Sequence, residues 1–297
     1  LNPWFLDINK LIEENFIISL NKKDLQSINQ NEDHFDFDFA NNLSKKLGEY
    51  LLFDWESQSE MRKTDFYLWN KKNTWVEDYS IFMVLREKFN MLPWWEWPLE
   101  FKQKENEFIK TWIKDKKNEI LKTKLIQWHL DKQWKEIKVF AKTNGITLIG
   151  DLPFYVSRDS ADVWSNKSLF SISQNGDLLF QSGVPPDYFS STGQLWGTPT
   201  YYWAKHKSTA FRWWRKRFKR QFELVDILRL DHFRALAGYW RVDGNAQNAI
   251  NGTWINSPGK ELLNILKKDL KSDYLPIIAE DLGVITKDVE ILRDNYE

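Results

Sequence analysis

The 297-residue sequence contains no cysteine. That excludes disulfides, thiolate chemistry and Cys-ligated zinc, and it fits a reducing compartment such as the cytoplasm. Net charge is absent too. The 42 Lys and Arg balance the 42 Asp and Glu, so nothing draws the chain to nucleic acid or to an anionic membrane surface. No apolar run reaches the roughly 18 residues that would span a bilayer. Histidine is scarce: His34, His129, His206 and His232 are dispersed, with no H-x-x-x-H spacing. Neither a G-x-G-x-x-G nor a Walker motif is present, and no Asp cluster has the EF-hand pattern. No cofactor and no metal is expected.

Aromatic residues are what the chain has in excess: 17 Trp, 20 Phe and 10 Tyr. Most should be core, but several lie in Gly- and Pro-rich stretches where core duty is less automatic. The length suits one large domain or two ordinary ones, and an α/β barrel of about 250 residues would fill it. The chain begins LNPWF, without Met, and ends ILRDNYE in what reads as a running helix. A piece cut at both ends is the expectation.

Helical spacing runs through much of the first 142 residues, notably Ser44 to Leu52, Trp75 to Phe89, and at least two helices over 99–142. A mostly helical inserted region is therefore expected over about 40–140. After Asn144-Gly145 the period changes. ITLIGD, VDILRLD and YLPIIAED are short apolar runs, each preceded by a helical pattern and each closed by an acid: Asp151, Asp231, and Glu280 with Asp281. Short buried strands alternating with helices read as parallel β/α units. Residues 152–203 interrupt the alternation with a long Gly-, Pro-, Ser- and Asp-rich stretch. It reads as a functional loop, as a small hairpin subdomain around Asn175-Gly176, or as both.

In a parallel β/α barrel, ligands meet the C-terminal ends of the strands. Three acids at that position would converge on one mouth, although any one of them could instead cap the next helix. Glycosyl transfer is the chemistry that needs two carboxylates across a pocket. Asp231 suits the ionised nucleophile, because Arg229 lies two residues earlier on the same strand face. Glu280 suits the acid, with Ile278 and Ala279 as apolar surroundings. His232 faces elsewhere at first and turns inward where the strand ends. Trp164, Tyr188, Trp196, Tyr201, Tyr202 and Trp203 offer faces for sugar rings, against the alternative that half of them pack a subdomain core. Asp159, Asp162, Asp187 and Gln194 either bind hydroxyls or make turns.

IGDLPFYVSRDSADVW at 149–164, GVPPDYFSSTGQLWGTPTYYW at 183–203, LRLDHFRAL at 228–236 and LPIIAEDLGVIT at 275–286 resemble the amylomaltase family of 4-alpha-glucanotransferases, the disproportionating enzymes. LNPWFLDI at 1–8 and WVEDYSIFMVLREKF at 75–89 look like it too, so the resemblance covers nearly the whole chain. It implies a (β/α)8 TIM barrel with inserted subdomains, here partial, with about the second to fifth strands and VDILRL as the fourth. It implies retaining transfer of α-1,4-glucan segments between maltodextrins, with glucose or dextrin as acceptor and no cofactor. By the family's motifs Asp231 is the nucleophile, Glu280 the acid/base and Arg229 the residue that holds the nucleophile. Asp151, Trp164, Asp187, Tyr188, Trp196 and His232 become candidate substrate contacts.

Departures from the family pattern are specific. A first strand with S-P-Y and a later H-D motif carrying a third acid are not in this sequence. Ser257 stands where the family usually has Gly, and 242–252 lacks the expected Pro and Thr-Ala pair. Competing readings are an α-glucan hydrolase of the α-amylase clan and a glucan-binding piece without turnover. Nothing in the sequence bears on oligomeric state. Part of a barrel leaves strand edges open, so these 297 residues alone are expected to melt at low temperature and with poor cooperativity. Calorimetry checks this, and a sharp, high-temperature transition would overturn it.

Overall fold

The computed structural model describes residues 1–20, 36–104, 106–282 and 285–296. His34 and the Gly283-Val284 pair of the AEDLGVIT stretch lie outside them. The chain divides into two compact units. One comprises Leu1–Met91 with Glu105–Ile137, the other Leu92–Lys104 with Lys138–Glu297. The helical region expected over about 40–140 is thus wider at its start. It is also interrupted, because 92–104 belongs to the second unit.

The first unit is helical. Its main helices are Ile8–Glu13, Phe37–Phe53, Glu60–Lys72, Trp75–Lys88, Glu107–Asp115 and most of Lys117–Thr143. Several start on side-chain caps: Asp36 accepts from Phe39 N, Ser59 from Arg62 N, and Asn106 from Phe108 N and Ile109 N. Leu11, Phe16, Ile17, Leu47, Leu51, Phe66, Trp69, Leu125 and Trp128 form its core. Two polar groups drawn into it find partners there. Trp69 Nε1 donates to the buried Asp131 at 2.7 Å, and Asp54 takes the amides of Ile18 and Ser19.

The second unit carries two sheets. β1 (Ile149–Pro153), β4 (Ile227–Asp231) and β7 (Ile277–Ala279) form a parallel sheet in that order. β2 (Phe180–Val184), β3 (Gln194–Pro199), β5 (Gly238–Asp243) and β6 (Gly252–Asn256) form an antiparallel one, ordered β3-β2-β5-β6. The three apolar runs closed by acids are the three parallel strands, in register as neighbours. The described residues contain three such strands and not the four expected, and they do not close a barrel. The stretch 152–203 is neither only a loop nor a self-contained hairpin. Its β2 and β3 pair, and β2 also pairs with β5, which follows β4. Insertions after two successive parallel strands thus build one sheet together.

Alternation along the parallel strands separates two faces. Leu152, Leu228 and Leu230 are buried on one. The helix Arg212–Leu224 lies against β1 and β4 and contacts the helix Gly259–Leu270. Trp214 and Phe218 from the first, and Leu262, Leu263 and Leu266 from the second, are buried. Gly150 is required here, since a Cβ would come within 2.8 Å of both Val225 methyls. The other face carries Ile149, Asp151, Arg229, Asp231 and Ile278.

Lys138 fastens the chain at the entry to β4. Its Nζ donates to the carbonyls of Phe222 (3.2 Å), Glu223 (3.4 Å) and Val225 (2.9 Å) and lies 3.5 Å from Asp226. Two of these carbonyls are among the last four of the helix Arg212–Leu224, which have no partner within the helix and sit at its negative pole. Lys138→Met is expected to cost about 1–2 kcal/mol, measured by denaturant unfolding. A change no larger than an ordinary surface substitution would contradict it.

Candidate active site

The register of the parallel sheet builds the site. Asp151 on β1 is the neighbour of Arg229 on β4, and Arg229 is the neighbour of Ile278 on β7. Leu230 pairs with Ala279, and Glu280 N donates to Leu230 O at 3.2 Å. Carried one residue further, the register sets Glu280 level with Asp231. Neighbouring parallel strands run about 4.8 Å apart, so the two carboxylates issue from adjacent strand ends on the same face.

Arg229 lies between two acids. Its Nη1 donates to Asp151 Oδ1 at 2.7 Å and its Nη2 to Asp231 Oδ1 at 2.9 Å. The hydrogen bond to Asp151, more than any other contact, strengthens its hold on its proton. One oxygen of Asp231 is thereby tied to a permanent cation, and Oδ2 is left for other work. Glu280 is held differently. Its Oε2 accepts from His232 N at 2.8 Å and its Oε1 from Leu282 N at 3.1 Å. The apolar wall expected of its neighbours is not made by them: Ile278 shares its face but is exposed, and Ala279 points to the opposite one.

His232 supplies that amide because its backbone is left-handed, φ 55° and ψ 47°. This turns the chain out of β4 at once, into the 3₁₀ segment Phe233–Leu236. His is among the residues that tolerate this region best, though at some cost. Its ring is half-buried in a cluster with two other rings. Trp196 stands edge-on at 4.9 Å and Tyr155 lies at 6.1 Å. Nε2 is buried with no hydrogen-bond partner among the described residues, as is the hydroxyl of Tyr155. His232 thus gives its backbone amide to Glu280 while its ring packs against Trp196 and Tyr155.

The remaining candidates separate. Trp196 is half-buried beside His232 and Tyr155. Asp187 and Tyr188 stand in the loop between β2 and β3, where Asp187 Oδ1 accepts from Phe189 N (2.9 Å) and Ser190 N (2.8 Å). That turn presents Tyr188 and Phe189, 98% and 91% exposed. Gly193 closes the loop at φ +66°, with no room for a Cβ against Val184 O. Trp164 is not a surface contact. It is 1% exposed, donates to Phe101 O at 2.9 Å and packs on Trp97. Its five-residue helix Ala161–Ser165 buries it as a core residue. Tyr201 is buried too, with its hydroxyl on Phe154 O at 2.6 Å. Tyr155 was passed over at the sequence level. Its only signal was its place just beyond the strand that ends after Asp151, yet it meets Trp196, Tyr201, His232 and Tyr239 at once.

With this geometry in place, comparison with known proteins is informative. The family model described as 4-alpha-glucanotransferase (glycoside hydrolase family 77) matches residues 1–297. The 4-alpha-glucanotransferase of Synechocystis sp. is 39% identical over 299 residues, covering 100% of this chain and 59% of that protein. The Clostridium butyricum 4-alpha-glucanotransferase is 38% identical over 290 residues, 97% of this chain and 58% of that protein. Among solved structures, an amylomaltase from Streptococcus agalactiae in complex with acarbose superposes with a TM-score of 0.90 at 33% identity, covering 99% of this chain and 59% of that one. This chain therefore spans well under two thirds of the length of these relatives.

His129 and His206 are buried, and His232 is half-buried. Burial is the main cause that lowers His129 to about 3, and His206 and His232 to about 4, from 6.5. Neighbouring cations add to this at His129 and His232. All three bind a proton more weakly folded than unfolded. Their contribution to stability is complete above about pH 6.5 and is lost as pH falls toward about 4, and toward about 3 for His129. His206→Gln is expected to remove close to one proton from the uptake on unfolding at about pH 5. Calorimetry in two buffers of different ionisation enthalpy reads this directly, and an unchanged uptake would refute it.

Proposed function

We propose, on the premise that this chain belongs to the 4-alpha-glucanotransferase family, that it carries the nucleophile and the acid/base of a retaining transfer of α-1,4-glucan segments between maltodextrins. The observation that carries this reading is the register that brings Asp231 and Glu280 to adjacent strand ends, with Arg229 holding one oxygen of Asp231. Retention calls for carboxyl groups about 5–5.5 Å apart, and neighbouring strands supply that scale of spacing.

Asp231 Oδ2 attacks the anomeric carbon. The bond to the leaving glucan breaks, and Glu280 gives its proton to the leaving oxygen. The glucan is then an ester of Asp231. The 4-hydroxyl of an incoming glucan loses its proton to Glu280 and attacks the same carbon, and Asp231 leaves as a carboxylate. Glucose or a dextrin serves as acceptor. Tyr188, Phe189 and Trp196 offer faces to sugar rings, and a well-placed sugar competes with water through proximity. Asp187 contributes by shaping the loop that presents Tyr188. A cytoplasmic setting suits a chain without cysteine acting on maltodextrin.

Incubation with maltotriose tests the reading. Glucose together with dextrins longer than the substrate is the expected product set. New reducing ends without longer products would point to a hydrolase of the α-amylase clan, and binding without turnover to a glucan-binding piece. Glu280→Gln should lower transfer about 10²–10⁴-fold. Asp231→Asn should abolish formation of the glycosyl ester, read by mass spectrometry with a slow fluorosugar donor. Full activity in either variant would refute the assignment.

A further inference from the structure

Three residues beyond Asp231 the chain buries a cation that the reaction above does not use. Arg234 is only 7% exposed. Its Nη1 donates to Gly238 O at 3.3 Å and its Nη2 to Thr286 Oγ1 at 3.2 Å. Its guanidinium lies 4.0 Å over the ring of Trp254. A charge taken out of water is costly unless it is compensated, and among the described residues Gly238, Trp254 and Thr286 contribute to that compensation. Gly238 opens β5 and Trp254 sits on β6. Thr286 stands at the N-cap position of the helix Lys287–Asp294, yet its side chain makes no capping bond to that helix. Its hydroxyl instead serves Arg234. Asp288, in the first turn, has its carboxylate held below the usual range, first by Thr286 and further by the charge of Arg234.

These contacts join the two segments that follow the two carboxylates. Arg234 belongs to the turn that leaves Asp231. Thr286 and Asp288 belong to the segment that leaves Glu280. A second direct link between the segments is the bond from His232 N to Glu280 Oε2, which the left-handed turn at His232 presents. Such a turn persists only where its surroundings over-determine it. Arg234 lies two residues beyond it, bonded forward to Gly238 and across to Thr286.

We propose that Arg234 is a positioning residue: it clamps the turn after Asp231 to the segment after Glu280 and so fixes the relation of the two carboxylates, without touching substrate. This rests on the assignment of those carboxylates as nucleophile and acid/base. A planar fork is needed. A lysine in its place is a point charge that cannot donate to Gly238 and Thr286 while lying flat on Trp254.

Arg234→Lys and Thr286→Val, each in the full chain, test it by two independent readouts. The first needs no activity. Amide hydrogen exchange should rise about tenfold or more in both 231–238 and 285–290, while the other strands and helices of the same unit keep their protection. The second is turnover of maltotriose. Arg234→Lys should lower kcat about 10- to 100-fold with KM within about twofold, since a misplacement of about 1 Å costs on that order. Thr286→Val should move both readouts the same way by less, and it leaves the buried charge in place should Arg234→Lys fail to fold. Unchanged exchange in both segments overturns the proposal whether or not the chain turns over. Raised exchange with unchanged kcat in an active chain overturns it as well. No turnover by the unaltered chain would instead count against the functional reading, with the exchange result still deciding whether the clamp exists.

Discussion

The site depends on the register of three short parallel strands. Shift β4 by one residue against β1 and Arg229 leaves Asp151, while Asp231 turns to the face now occupied by Leu228 and Leu230. The slip is resisted from the other side, where those two leucines are fully buried and the helix Arg212–Leu224 packs against the sheet. Burial of the apolar face therefore aligns the charged one. The ion pairs among Asp151, Arg229 and Asp231 are largely exposed, so they report the alignment more than they cause it.

Around this sheet the chain uses its two long connections as walls. The connection after β1 supplies β2 and β3, the connection after β4 supplies β5 and β6, and β2 pairs with β5 across them. Tyr155 fills the junction between β1 and that second sheet, against Trp196, Tyr239 and His232. The aromatic excess is thus divided. Trp164 and Tyr201 are core, while Tyr188 and Phe189 are held in the open by a turn whose backbone bonds are closed on Asp187.

The division between what the sequence disclosed and what it hid follows from how local each signal is. The parallel strands were legible because each is a short apolar run ending in an acid and preceded by a helix, all within one window. Some of the helices were legible by spacing. The antiparallel sheet was not, because its strands come from 180–199 and 238–256 and their pairing is invisible to any local pattern. Trp164 was misjudged for a related reason. A Trp in a polar, turn-rich stretch looks available, and only the distant Phe101 and Trp97 show that it is enclosed. Arg234 lies inside the LRLDHFRAL motif as one of its charges, but its role is not legible there, since its partners Gly238, Trp254 and Thr286 are scattered over the following 52 positions.

The two carboxylates differ in what holds them, and the difference matches what each must do in the proposed cycle. Asp231 has one oxygen on a guanidinium that never gives up its charge. Such a partner suits a group that returns to the same anionic form at the end of every turnover and is never asked to carry a proton. Glu280 has its two oxygens on two neutral amides, His232 N and Leu282 N. A group that gives and regains a proton cannot be fastened by a cation without opposing half of its own cycle. With neutral donors, one oxygen can release its amide and take the proton while the other keeps its bond, so the carboxyl stays placed in both states. The amide best suited to remain is that of His232. It belongs to the turn that positions Asp231, so a carboxyl held there stays in step with the nucleophile through both halves of the reaction.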